Sequence, residues 1–97
     1  MYVKLRIYCE NVKLQESLDL VSSYYPGFCV FHGFGYWKGE SEVTFCIEVL
    51  MKYAEYDQVI VDELCRLLCC VNEQEAVLYT RELVSTCNLV GKCVVPL

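Results

Sequence analysis

Residues Tyr2 to Cys9 alternate without a break, with Val3, Leu5, Ile7 and Cys9 on one side and Tyr2, Lys4, Arg6 and Tyr8 on the other. That period belongs to a strand with one buried face. Glu42 to Leu50 repeats it, with Val43, Phe45, Ile47 and Val49 opposed by Thr44, Cys46 and Glu48. Two half-apolar strands need an apolar cover, and the segments that follow them supply it. After the first, Leu14, Leu18, Val21 and Tyr25 recur at helical spacing while Lys13, Glu16, Asp19 and Ser23 face away. Asn11 is the expected N-cap and Pro26-Gly27 the stop. After the second, Ile60, Leu64, Leu67 and Val71 mark a helix over 57–71, closed by Asn72 as its C-cap. Phe28 to His32 reads as a short strand, and Gly33 to Gly39 as a bulged or sharply turned connection. Glu75 to Arg81 reads as a further strand.

The order strand, helix, strand, strand, helix, strand predicts an α+β fold: a ferredoxin-like βαββαβ sandwich with a four-stranded antiparallel sheet and two helices on one face. With 97 residues, 56% of them hydrophobic, the chain suits one core. Residues 1–81 are the expected domain. Residues 82–97 form a C-terminal extension in which Leu89, Val90 and Cys93 to Val95 are apolar enough to add a strand or an oligomer contact. The second helix is apolar nearly all round, since Val61, Cys65 and Cys69 lie outside its main stripe and only Asp62, Glu63 and Arg66 form a polar sector. The sheet face away from the helices carries Tyr2, Tyr8, Cys46 and Leu50. Together these surfaces predict a homo-oligomer formed without disulfides.

Thirteen acids against eight basic residues give a net charge of −5. Nucleic-acid affinity depends on Lys and Arg displacing counterions, so that charge opposes it. The apolar runs are too short to span a bilayer and the N-terminal residues lack a signal-peptide pattern. The expectation is a soluble, cytoplasmic protein without membrane attachment. Eight cysteines in a chain without an export signal read as reduced core residues. Only Cys65-x₃-Cys69 approaches zinc-ligand spacing, and the sole histidine, His32, is distant in sequence, so no metal or other cofactor is expected.

The same sequence predicts a binding module, not an enzyme. His32 would have to serve any acid-base step alone or with Glu40 or Glu42, and Cys29, three residues away in a strand, points to the opposite face. Trp37, Tyr36 and Lys38 offer an aromatic platform beside a cation. Lys4 and Arg6 add positive charge on the open face, where Glu42 and Glu48 are natural cross-strand partners. These six residues, with His32 among them, are the candidate ligand-binding set for a small anionic or nucleotide-like ligand.

Two resemblances bear on this reading. Ile7-Tyr8-Cys9-Glu10-Asn11-Val12 is similar to the RNP2 motif of RNA-recognition-motif proteins, and His32-Gly33-Phe34-Gly35-Tyr36-Trp37 looks like the start of RNP1. That resemblance implies RNA binding, although here Glu42 to Leu50 intervenes before the second helix and the charge is acidic. Gly35-Tyr36-Trp37-Lys38-Gly39-Glu40 and Asn72-Glu73-Gln74-Glu75-Ala76-Val77-Leu78 resemble a pattern in small proteins of bacteriophages and mobile elements, over roughly residues 1–80. What that implies is an accessory protein that counters host defence by sequestering a small signal ligand, or by blocking a host defence protein.

Overall fold

The computed structural model describes residues 1–91. It contains β1 (Tyr2–Glu10), α1 (Leu14–Ser22), β2 (Cys29–Trp37), β3 (Glu40–Lys52), a short 3₁₀ turn (Tyr53–Glu55), α2 (Gln58–Val71) and β4 (Leu78–Val84). The four strands form one antiparallel sheet in the order β2-β3-β1-β4, so β1 and β3 are central and β2 and β4 are edges. This is the expected ferredoxin-like α+β arrangement.

The alternation in β1 and β3 sets the core. Val3, Leu5, Ile7 and Cys9 pack beside Phe45, Ile47, Val49 and Met51, and both rows are buried under the helices by Val21 of α1 and Val61, Leu64, Cys65 and Leu68 of α2. The α2 stripe is rotated from the one expected. Ile60 and Leu67 are substantially exposed, whereas Val61 and Cys65 are buried. A helix apolar nearly all round leaves its phase to be chosen by the sheet, and the Val61, Leu64, Cys65, Leu68 row presents three-four spacing equally well. Tyr79 of β4 adds a polar tie, donating its hydroxyl to Asp62 of α2 at 2.7 Å.

Three local expectations change. The α1 N-cap position is Lys13, not Asn11, and it makes no side-chain capping bond of its own. The cap comes from Asn72, at the far end of α2, whose Oδ1 accepts from the Lys13 N–H at 2.8 Å and the Ser17 hydroxyl at 3.2 Å. The fourth strand begins at Leu78, three residues later than expected. Residues 72–77 instead leave α2 through a Schellman-type turn, with Glu73 at φ 52°, the Gln74 N–H on the Cys69 carbonyl at 2.9 Å and the Glu73 N–H on the Cys70 carbonyl. Finally, Gly33 to Trp37 is not a connection but the second half of β2. It pairs residue by residue with Glu40 to Thr44, and the reversal is confined to Lys38-Gly39, at φ 52° and 81°. Two consecutive positive φ values make this the tight hairpin turn that matches strand twist. Within the tail, Leu89 and Val90 are exposed and form no strand; the expectation for Cys93 to Val95 lies outside the described residues.

Asn72 is wholly buried and uses both ends of its amide. While Oδ1 caps α1, Nδ2 donates to the Glu10 carbonyl at 2.7 Å and to Gln74 Oε1 at 2.5 Å. Replacement by alanine leaves the Lys13 N–H and the buried Ser17 hydroxyl without their acceptor, and the Glu10 carbonyl with only the Val12 N–H at 3.0 Å. Asn72→Ala is therefore expected to cost about 2–4 kcal/mol in urea unfolding, well above an average exposed substitution; a loss near zero would show that these groups find water instead.

Candidate functional site

The helix layer ends before the β2-β3 hairpin does. On the helix side of β3, burial is complete through Phe45, whereas Val43 is 49% exposed; on β2, Phe34 and Tyr36 are 80% and 78% exposed. The register places His32, Phe34 and Tyr36 on the helix side, opposite Phe45, Val43 and Ser41, and Gly33, Gly35 and Trp37 on the open side, opposite Thr44, Glu42 and Glu40. The outer half of the hairpin is thus an arm with aromatic side chains on both faces and, among the described residues, no helix covering either.

The two glycines that suggested a turn have a different purpose. A Cβ on Gly35 would lie 2.9 Å from Thr44 Cγ2, so the Thr44 methyl occupies the space a side chain would fill. Glycine here lets β3 side chains lie across β2 and keeps the open face shallow. The sequence signal was present: glycines two apart share one face of a strand.

Along that shallow face runs a groove of about 590 Å³, bounded by the hairpin arm on one side and by Gln74 to Leu78 on the other. Tyr8, Glu10 and Thr44 lie between them, Trp37 and Glu42 stand on the arm, and Phe34 and Tyr36 contribute to the wall although their register belongs to the helix side. Its size falls within the ~300–1,000 Å³ typical of small-ligand sites. The Asn72 junction fixes one end. Gln74 Oε1 accepts from the Glu10 N–H at 3.1 Å, and Gln74 Nε2 donates to the Ala76 carbonyl at 2.7 Å, so the segment forming the second wall is tied to the end of β1.

The expected site residues separate into three groups. Tyr36, Trp37 and Lys38 stand together at the arm, with the Lys38 ammonium 5.8 Å from the Trp37 ring centroid. Lys4 and Arg6 do not join them. Arg6 sits opposite Glu48 and Trp37 opposite Glu40, eight positions apart along β3, or about 26 Å at ~3.3 Å per residue. Both cations are also engaged: Arg6 Nε donates to Glu48 at 2.8 Å, and Lys4 meets Glu82 of β4, not Glu42, at 3.1 Å. The hydrogen bond to Glu48 raises the Arg6 pKa. The hollow beside these residues is only about 100 Å³. His32 is exposed on the other side of β2 from Trp37, and Cys29 lies on the open side, so the two point apart as expected. Sequence reasoning missed Glu10, Thr44 and the 74–78 wall and gave Glu42 other partners, because only the register and the late start of β4 bring these residues together.

The cysteines are less uniform than expected. Cys9 and Cys65 are core residues, whereas Cys29 and Cys70 are exposed and Cys46, Cys69 and Cys87 are half-buried. All seven described cysteines are free. Burial pushes the Cys9 thiol up to about 12 and the Cys65 thiol up to about 11, so neither is a nucleophile near neutrality. Among the described residues no group of three or more His, Cys, Asp or Glu is placed to hold a metal ion. Nor is any helix long and apolar enough to cross a membrane.

No family model matches the chain, and no curated protein matches it at a significant level. Among solved structures, the crystal structure of a DUF3240 family protein from Shewanella baltica OS155 is similar, with a TM-score of 0.68 over 93% of this chain and 97% of that one, at 13% sequence identity. At that identity the likeness is one of fold alone.

The thiol placement yields a test. At pH 8 a thiol reagent is expected to label Cys29 and Cys70 promptly, and Cys9 and Cys65 only as fast as the protein opens. Folded Cys9 keeps its proton up to about 12, whereas the thiol ordinarily ionises near 9. Its contribution to stability is therefore complete below pH 9 and lost as pH rises from about 9 to about 12. Cys9→Val should make that alkaline decline shallower; an unchanged slope would contradict the assignment.

Proposed function

We propose that this chain is a non-enzymatic binding module that holds a small ligand with a planar or apolar body in the groove between the hairpin arm and residues 74–78. The observation that carries this reading is the coincidence of an open aromatic wall, Trp37 with Phe34 and Tyr36, and a groove of ligand size whose far side is anchored by a buried side-chain junction. Among the described residues the candidates for a nucleophile and a base do not meet at the groove: His32 is across the strand, and burial raises the pKa of the Cys9 thiol at its margin. A nucleobase suits the Trp37 wall by stacking. The resemblance to phage and mobile-element proteins supplies a setting for the module, sequestration of a signal ligand against host defence.

Self-association is part of the proposal. Among the described residues both sheet edges are unpaired, and Phe31, Phe34 and Tyr36 on β2 with Leu78 and Leu83 on β4 are exposed beside them. A second copy covering such an edge removes apolar area from water and completes the backbone pairing that an edge strand leaves unmade. The same arm favours a second reading, inhibition of a host protein, because exposed aromatic side chains on a rigid hairpin suit a protein pocket.

One pair of variants separates these readings. Trp37→Ala is expected to abolish ligand-induced thermal shifts across a panel of nucleosides, nucleotides and amines while leaving the mass in light scattering unchanged. Phe34→Ser/Tyr36→Ser is expected to reduce that mass. Shifts that survive Trp37→Ala would overturn the groove reading, and a wild-type monomer at micromolar concentration would overturn self-association.

A further inference from the structure

Glu10, Glu42 and Glu75 all line the groove, and among the described residues none of them has an ion-pair partner. The ion pairs among the described residues use other acids: Glu73 takes Lys13, Glu48 takes Arg6 and Glu82 takes Lys4. Among the described residues the cation at the arm is Lys38, which lies toward the face of Trp37. We infer that the groove selects a small organic cation, a linear or aryl amine with its apolar body against Trp37 and its ammonium groups among Glu10, Glu42 and Glu75. This deepens the binding reading above and rests on it.

The charge argument and the aromatic argument converge. Glu10 is directly opposite Thr44, and Glu42 lies one diagonal step further along the same face, so the two backbone positions are about 7–8 Å apart by strand geometry. Acids at separate positions of one face suit successive amines of one chain better than a single point charge. A phosphate in the same place would meet three carboxylates. An indole face attracts a cation, and the contact strengthens as water is excluded. Lys38 already samples that attraction at 5.8 Å, which makes it a built-in competitor for an incoming ammonium.

Lys38 therefore gives the test its sign. For an anionic ligand Lys38→Ala must weaken binding; for a cation it must not. Isothermal calorimetry with spermidine, adenosine and ATP as probes, at about 50 mM salt, is expected to show spermidine as the tightest. Lys38→Ala should tighten spermidine about two- to fivefold. Glu42→Gln/Glu75→Gln should weaken it about tenfold or more, while Glu55→Gln/Glu63→Gln, which removes the same charge from exposed positions away from the groove, should leave it within twofold. Equal weakening by the two double variants would mean diffuse attraction to a chain of net charge −5 and would overturn the inference. ATP or adenosine binding more tightly than spermidine, and lost in Trp37→Ala, would overturn the cation while keeping the groove. Absence of binding by all three probes, with Trp37 fluorescence unmoved, would remove both.

Discussion

The carboxamide of Asn72 holds together three ends of chain that the sheet and helices alone would leave loose. Its oxygen closes the first turn of α1, its nitrogen holds the last carbonyl of β1, and Gln74 extends the same network to the segment before β4. A fully buried amide is stable only when its donors and acceptors are met, and here the partners come from segments up to 62 residues apart. One side chain thereby joins the end of β1, the start of α1 and the segment that precedes β4. The first and last of these line the groove.

The open end follows from a different constraint. A four-stranded sheet covered by two helices has strands longer than its cover, and the excess appears as the outer half of the β2-β3 hairpin. Gly35 and the Lys38-Gly39 turn make this excess a regular, tightly reversed arm by letting Thr44 cross β2 and by accepting two positive φ values. The aromatic side chains at its tip are then displayed by a regularly paired hairpin, and exposed apolar area grouped in this way marks a candidate binding surface.

The fold was legible because β1 and β3 are the central strands, each with one face under the helices, and strict alternation is unambiguous in that position. Asn72 was also legible as the end of α2, but its reach to Lys13 and Glu10 was not, since a side chain capping a distant helix leaves no local pattern. The glycines of β2 misled because glycine signals both a turn and a close strand crossing, and only the partner Thr44 distinguishes them. The phase of α2 was hidden by its near-uniform apolarity. At the site, Trp37, Tyr36 and Lys38 were evident as neighbours, whereas Lys4 and Arg6 share the face with Trp37 yet stand about 26 Å or more along the strand at ~3.3 Å per residue. Alternation reports which face a residue occupies and is silent about distance along it.

The most direct test of this account is amide hydrogen exchange at Lys13 and Glu10, read residue by residue by NMR. Neither N–H depends on a strand or helix carbonyl; each is held by a side-chain oxygen, that of Asn72 or of Gln74. If the junction anchors the groove, Lys13 exchanges only through openings approaching the global unfolding free energy, with Glu10 protected well above an exposed loop. Exchange of both at the rate of the Lys38-Gly39 turn would contradict the central role given to Asn72.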